Sequence, residues 1–169
     1  GNYNTAVGHF ALSAEDGHGK NTAIGYTALY TQNAGANAFN TAIGFEAGLS
    51  VTTGTQNTII GGLAGDALTT GANNIAIGYA ALSTEDTGHG SVAIGPFALQ
   101  DQDAGNAYNV AVGFSAGTAV STGTNNTLIG GSTADALTTG SWNVAIGKDA
   151  LGATDVGAYN VAVGGQAML

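Results

Sequence analysis

The chain has 169 residues, a length that suits one domain, with 29 glycines, 8% charged residues and a formal net charge of −9. Lys20 and Lys148 are its only basic residues, so a phosphate backbone would be repelled and nucleic acid is excluded as a partner. The absence of cysteine excludes disulfides and thiol chemistry, no apolar run approaches a membrane span, and no basic region followed by an apolar stretch marks a secretion signal.

One five-residue phrase runs through the chain: NTAVG ending at Gly8, NTAIG at Gly25 and Gly44, NTIIG at Gly61, NIAIG at Gly78, SVAIG at Gly95, NVAVG at Gly113, NTLIG at Gly130, NVAIG at Gly147 and NVAVG at Gly164. Successive glycines are 17, 19, 17, 17, 17, 18, 17, 17 and 17 residues apart. A weaker Ala-Leu phrase follows most of them, as at Ala11-Leu12, Ala28-Leu29, Ala81-Leu82, Ala98-Leu99 and Ala150-Leu151, and a polar turn closes each unit. Four units form a larger block, because DALTTG at Asp66 returns at Asp135 and SAEDGHG at Ser13 returns as STEDTGHG at Ser83, giving a nested super-repeat of 69 to 70 residues.

A period of 17 is half that of a helical-hairpin repeat, but a glycine in every phrase, with β-branched neighbours, opposes helix. NTAIG instead alternates Thr and Ile on one face with Asn and Ala on the other, the two-residue period of a strand. Each unit reads as a turn, a strand, a glycine corner and a second strand beginning at Ala-Leu. Such units cannot bury their apolar faces alone and stack. The expected fold is all-β: residues 1–169 as a single repeat domain, a parallel β-solenoid or β-roll of about ten 17-residue coils, roughly 48 Å long at about 4.8 Å per coil.

Stacking gives the repeated residues roles. Asn4, Asn21, Asn40, Asn57, Asn74, Asn109, Asn126, Asn143 and Asn160 stand four places before the key glycine, with Ser91 in the remaining unit, and are expected to form a hydrogen-bonded ladder. The Ile or Val before every key glycine is expected to form the aliphatic column of the core. The Ala two places before it, replaced by Ile59 and Leu128, leaves room for a close neighbour.

Ser91-Val92-Ala93-Ile94-Gly95 and its variants resemble the head repeats of trimeric autotransporter adhesins of the YadA type, which also occur in phage tail fibres. The resemblance covers essentially the whole chain, although the unit here is longer and no coiled-coil heptads are present. It implies a left-handed β-roll, three chains side by side, a location outside the cell or on a virion, and a role in attachment or as a fibre shaft.

Independently of that resemblance, both faces of NTAIG are small or apolar, which suits an outer face covered by another chain. Neither end of the sequence shows a capping unit, and joining Leu169 to Gly1 of another copy would set Gly164 and Gly8 13 positions apart. Head-to-tail stacking is therefore expected beside lateral association.

The candidates for chemistry are few. Glu15-Asp16 and Glu85-Asp86 lie four coils apart, roughly 19 Å, beyond the ~5 to 9.5 Å of paired catalytic carboxylates. Within one turn, Glu15, Asp16 and His18, or Glu85, Asp86 and His89, are weak candidates to hold a cation, solvation of a turn being the plainer reading. GGLAGD at Gly61 misplaces the third glycine of a calcium-binding nonapeptide. No catalytic constellation or cofactor cradle stands out, so no cofactor is expected. Aromatic residues fall into two columns, Tyr3, Phe39, Tyr108, Trp142 and Tyr159 before the Asn position and Tyr26, Phe45, Tyr79 and Phe114 after the glycine. They suit contacts between chains or stacking on sugars. Thr5, Thr22, Thr41, Thr58 and Thr127 suggest an ice-binding face, but Ile75, Val92, Val110, Val144 and Val161 interrupt it.

The sequence therefore points to a non-enzymatic extracellular structural protein that partners copies of itself laterally and head to tail. The alternative is an adhesin or phage tail-fibre segment binding a surface receptor or glycan. No membrane insertion is expected.

Overall fold

The computed structural model describes residues 2–153 and 155–169. Ten three-residue strands follow in chain order: β1 (Thr5–Val7), β2 (Thr22–Ile24), β3 (Thr41–Ile43), β4 (Thr58–Ile60), β5 (Ile75–Ile77), β6 (Val92–Ile94), β7 (Val110–Val112), β8 (Thr127–Ile129), β9 (Val144–Ile146) and β10 (Val161–Val163). They pair in parallel, each with the next, in one ten-stranded sheet ordered as in the sequence. Equivalent residues stand opposite one another, as in Ala23↔Ala42 and Val92↔Val110. The fold is a parallel β-solenoid, as the periodicity predicts.

The spacings of 19 and 18 do not disturb the register. Asn40 N–H reaches Asn21 Oδ1 at 2.9 Å across 19 residues, the same length as the bond from Asn74 to Asn57 across 17. Extra residues are absorbed in turns that leave Asn33, Ala36, Asn37 and Asn106 exposed or half-exposed.

Only one strand forms per coil, which corrects the expectation of a second at Ala-Leu. Leu12, Leu29, Leu82, Leu99 and Leu151 have φ of 54, 51, 54, 48 and 57°, in the left-handed region, so these segments are corners. Inter-coil bonds continue through them, as in Leu12 N–H to Ala28 C=O at 2.9 Å and Leu29 N–H to Ala47 C=O at 3.1 Å. Left-handed dihedrals at a bulky residue cost about 1–2 kcal/mol, offset here by that bond and by full burial of the leucine, worth roughly 1.5–3 kcal/mol.

The strand faces are the reverse of the expected ones. Ala23, Ala42, Ile59, Ala76, Ala93, Ala111, Leu128 and Ala145 have no exposed surface, whereas Ile24, Ile129 and Ile146 are 36, 38 and 39% exposed. The Ile/Val column therefore lies outside, and the room left by the alanines is filled by the chain's own corner leucines. Asparagine decides the orientation. It shares a face with Ala, and inward it satisfies two backbone groups that the narrow core would otherwise bury unpaired. Asn57 Oδ1 accepts the Asn74 N–H at 2.9 Å while its Nδ2 donates to the Gly71 carbonyl at 2.8 Å.

The super-repeat is a code for filling this core. The buried position seven residues after the key glycine reads Gln32, Val51, Leu68, Glu85, Gln102, Val120, Leu137, with the half-buried Glu15 at its start. Where the corner leucine is replaced by Gly48 or Gly117, volume returns from elsewhere: a Cβ on Gly117 would lie 2.6 Å from Leu128 Cδ1 and 3.3 Å from Val120 Cγ2. Key glycines have a different constraint. Gly78 has φ +135°, and a Cβ there would meet the Gly95 backbone at 2.5 Å.

Candidate interaction face

The reversed strand orientation gives the rod one distinctive surface. Alternation directs four columns outward from each coil: the residue five before the key glycine, the Thr/Val/Ile three before it, the Ile/Val just before it, and the residue just after it. Tyr3, Phe39, Tyr108, Trp142 and Tyr159, at 84, 52, 54, 55 and 79% exposure, stand in the first. Tyr26, Phe45, Tyr79 and Phe114, each about half exposed, stand in the fourth. The Ile/Val column is an unbroken apolar strip along the rod, flanked by columns in which these aromatics alternate with threonines and with polar residues such as Gln56, Asn73 and Asn125.

Charge is segregated around the coil. Glu15, Asp16, Glu46, Asp66, Glu85, Asp86, Asp101, Asp103, Asp135, Asp149 and Asp155 all fall in the corner and turn, two to eight places after a key glycine. Lys20 and Lys148, the only cations, both fall in the outer columns of the strand face. Lys20 Nζ lies 5.0 Å from the Phe39 ring centre. Lys148 Nζ pairs with Asp149 Oδ2 at 2.8 Å, which raises the lysine pKa. The lysine side chain is 78% exposed, so that pair contributes little to stability.

The aromatic column after the glycine is ordered along the rod. Tyr26 stacks on His9 at 5.5 Å and on Phe45 at 5.4 Å, with planes 6° and 9° apart, so that ring faces meet one another. Beyond Gly62 the column holds Pro96 in place of a ring, and Phe97, one place further on, bridges the gap edge-on, to Tyr79 at 5.5 Å and to Phe114 at 5.9 Å.

The carboxylate turns are built differently from the cation sites considered in the sequence. Glu15 Oε1 accepts the backbone N–H of His18, at 2.9 Å, and its Oε2 accepts Asn21 Nδ2 at 3.3 Å. Glu85 is fully buried and accepts Gly88 N–H at 2.7 Å, Gln102 Nε2 at 3.0 Å and Ala104 N–H at 3.3 Å. Glu85 and Asp86 gather with Asp103 of the next coil, with oxygens within 4.8 Å. His89 is turned elsewhere, its Nδ1 accepting the Ala72 N–H at 2.9 Å. Asp103 was missed in the sequence because it belongs to the neighbouring coil. Its offset from Asp86 is the repeat length, the signal that could have found it.

The Asn ladder runs from Asn4 to Ser91 and again from Asn109 to Asn160, each side-chain oxygen accepting the next coil's backbone N–H at 2.8 to 3.0 Å. Its main link is side chain to backbone. Amide-to-amide bonds join only the last members, from Asn126 to Asn109, Asn143 to Asn126 and Asn160 to Asn143. Among the described residues no cavity opens in the rod, and no helix is long and apolar enough to cross a membrane. No family model, no curated protein and no solved structure matches the chain.

Proposed function

We propose that this chain is a non-enzymatic structural protein, the protomer or shaft segment of an extracellular fibre, whose rods associate laterally along the strand face and lengthen by coil stacking. The observation that carries the reading is the Ile/Val column, turned outward and still 36 to 39% exposed at Ile24, Ile129 and Ile146. A continuous apolar strip without carboxylates stabilises an assembly once it is covered and is a solubility liability while it is not. The acidic turns on the remaining surface oppose unlimited sideways aggregation, so rods are expected to gather as small closed bundles. Lengthening follows from the coil itself, because each one presents its neighbour with the same backbone groups. With two lysines in the chain, trypsin has few sites, which suits life outside a cell.

Negative-stain electron microscopy with mass photometry tests this reading. Long uniform filaments, or bundles of a few rods, are the expected result. Single rods at every concentration would overturn it. Discrete bundles that bind a glycan array, with binding lost on changing one aromatic column, would favour the adhesin or tail-fibre alternative.

A further inference from the structure

The turn Ser13-Ala14-Glu15-Asp16-Gly17-His18-Gly19 returns four coils later as Ser83-Thr84-Glu85-Asp86-Thr87-Gly88-His89-Gly90, with Thr87 inserted between the aspartate and the glycine. Asp16-Gly17 is therefore the only place in the chain where Asp or Asn stands directly before glycine. Both residues are exposed at the crown of the turn. The ends of the turn are pinned, because Glu15 Oε1 accepts the His18 N–H and Asn4 Oδ1 accepts the Asn21 N–H, each at 2.9 Å. The crown is open: nothing comes within 4 Å of a Cβ position on Gly17, and among the described residues the Gly17 N–H donates no hydrogen bond.

We infer that Asp16-Gly17 is a site of spontaneous covalent modification, where the Gly17 nitrogen closes on the Asp16 side chain and converts it to isoaspartate. The Gly17 N–Cγ bond forms as the Cγ–O bond breaks, and the hydroxyl of the protonated carboxyl leaves as water with the amide proton. Water then opens the five-membered ring. Addition at Cγ regenerates aspartate, whereas addition at the main-chain carbonyl carbon breaks its bond to the Gly17 nitrogen and leaves the chain running through Cγ. The mass is unchanged, and water is the only co-reactant. Glycine permits the approach, since it has no Cβ to meet the incoming side chain and its backbone turns freely. The reaction needs no partner, so it is independent of how rods assemble.

The fold withholds the same chemistry elsewhere. Every asparagine of the ladder precedes Thr, Ile or Val, whose branched Cβ crowds the attacking nitrogen. That nitrogen is also committed to the next coil, as in Thr22 N–H to Asn40 C=O and Thr41 N–H to Asn57 C=O, both at 2.9 Å. After Asp103, the Ala104 N–H is held by Glu85 Oε2 at 3.3 Å. Asp86 is exposed like Asp16, but the β-branched Thr87 follows it. Isoaspartate adds one methylene to the main chain inside the turn that Glu15 closes on His18. That bond, and the neighbouring Lys20 N–H to Asn2 C=O bond at 3.1 Å, then lose their fit, and the junction between β1 and β2 loosens with age.

The two lysines make the test direct. The full chain is held folded at neutral pH and body temperature for weeks, then unfolded and cut by trypsin into residues 1–20, 21–148 and 149–169. Isoaspartate is read by methyl transfer from labelled S-adenosylmethionine with a purified isoaspartyl methyltransferase. Label that grows with time in fragment 1–20 alone is the expected result. No label, or as much in fragment 21–148, which carries Asp86, would overturn the inference. Asp16→Glu, whose ring would need a sixth member, is expected to clear fragment 1–20 of label. Label that persisted there would come from Asn2 or Asn4 and would overturn the assignment. Gly17→Val keeps the aspartate and is expected to slow labelling about tenfold, a barrier rise of about 1.4 kcal/mol; an unchanged rate would overturn the role of the glycine. Amide hydrogen exchange supplies a second readout. His18 and Lys20 are expected to exchange faster in the aged chain than in the fresh one, and equal exchange would overturn the loosening of the junction.

Discussion

Ser91 accepts its place in the ladder but does not pass it on: its backbone N–H bonds Asn74 Oδ1 at 2.9 Å, while its short side chain turns to Gln102, whose Nε2 reaches Ser91 Oγ at 3.1 Å. Asn109, next in the column, donates its side-chain Nδ2 to Gln102 Oε1 at 2.9 Å. The ladder is thus interrupted once, beside the buried Glu85, and the polar side chains close the gap.

Ser91→Asn is expected to restore the link. At the equivalent place four coils earlier, Asn21 fits beside Glu15, donating to its Oε2 and offering Oδ1 to the Asn40 N–H. One added buried hydrogen bond predicts a gain of about 0.5–1.5 kcal/mol in unfolding free energy, read from the urea midpoint. Asn57→Ala should do the opposite, stranding the Asn74 N–H and the Gly71 carbonyl at a cost of roughly 1–3 kcal/mol for each group left unpaired. A loss no larger than that of an exposed substitution would contradict the ladder's role.

The ladder was legible in the sequence because nine asparagines mark one column. Which face turns inward was not. Hydrophobicity alone assigns Ile24 and Ile43 to the core, and only the need to pair the buried backbone reverses the choice in favour of Asn40 and Ala42. The leucine corners were illegible for a related reason. Leu29 at φ 51° opposes local preference, and what holds it there is a bond to a coil 18 residues away in sequence. The interaction face became visible only after the strand had been turned over, whereas the confinement of both lysines to it could be counted from the sequence once the columns were aligned.

The core-filling code predicts coupling between Gly117 and Leu128. The backbone at Gly117, φ 59°, matches that of the leucine corners, so the bar to leucine there is space. Gly117→Leu alone should cost about 1–3 kcal/mol through overpacking, and Leu128→Ala alone about 2–5 kcal/mol through a cavity. The double variant restores the arrangement at Leu82, whose following strand carries Ala93 at the place of Leu128, and should recover most of the loss. Additive losses in a double-mutant cycle would refute the exchange of volume between corner and strand.

Glycines divide into two classes that stability measurements should separate. Gly78→Ala forces a Cβ into the Gly95 backbone at a φ that L-residues avoid, so neither side chain nor neighbour can yield, and a loss above about 3 kcal/mol is expected. Gly17→Ala places its methyl in open space with no left-handed φ. It should be neutral or stabilise by up to about 1 kcal/mol. Equal effects at the two sites would contradict the stacked-glycine geometry.

Asp66 gives the rod a pH dependence of unusual sign. Desolvation by burial is the largest influence on its carboxyl and raises the pKa above 3.8, outweighing the hydrogen bonds from the Asp66 and Ala67 backbone, while nearby Glu46 pushes the same way. A carboxyl whose folded pKa exceeds its unfolded one binds its proton more tightly in the native state, so folding is favoured while it is protonated. As pH rises from the ordinary carboxylate range through the raised value, the unfolded chain releases the proton first and stability falls. The loss is complete above the folded pKa. Asp66→Asn removes the charge at every pH, so its urea midpoint should lie closest to that of the parent in acid and move above it as pH climbs through that window. A midpoint difference that stays constant, or that shrinks towards neutrality, would show that the buried Asp66 oxygen is tolerated without penalty.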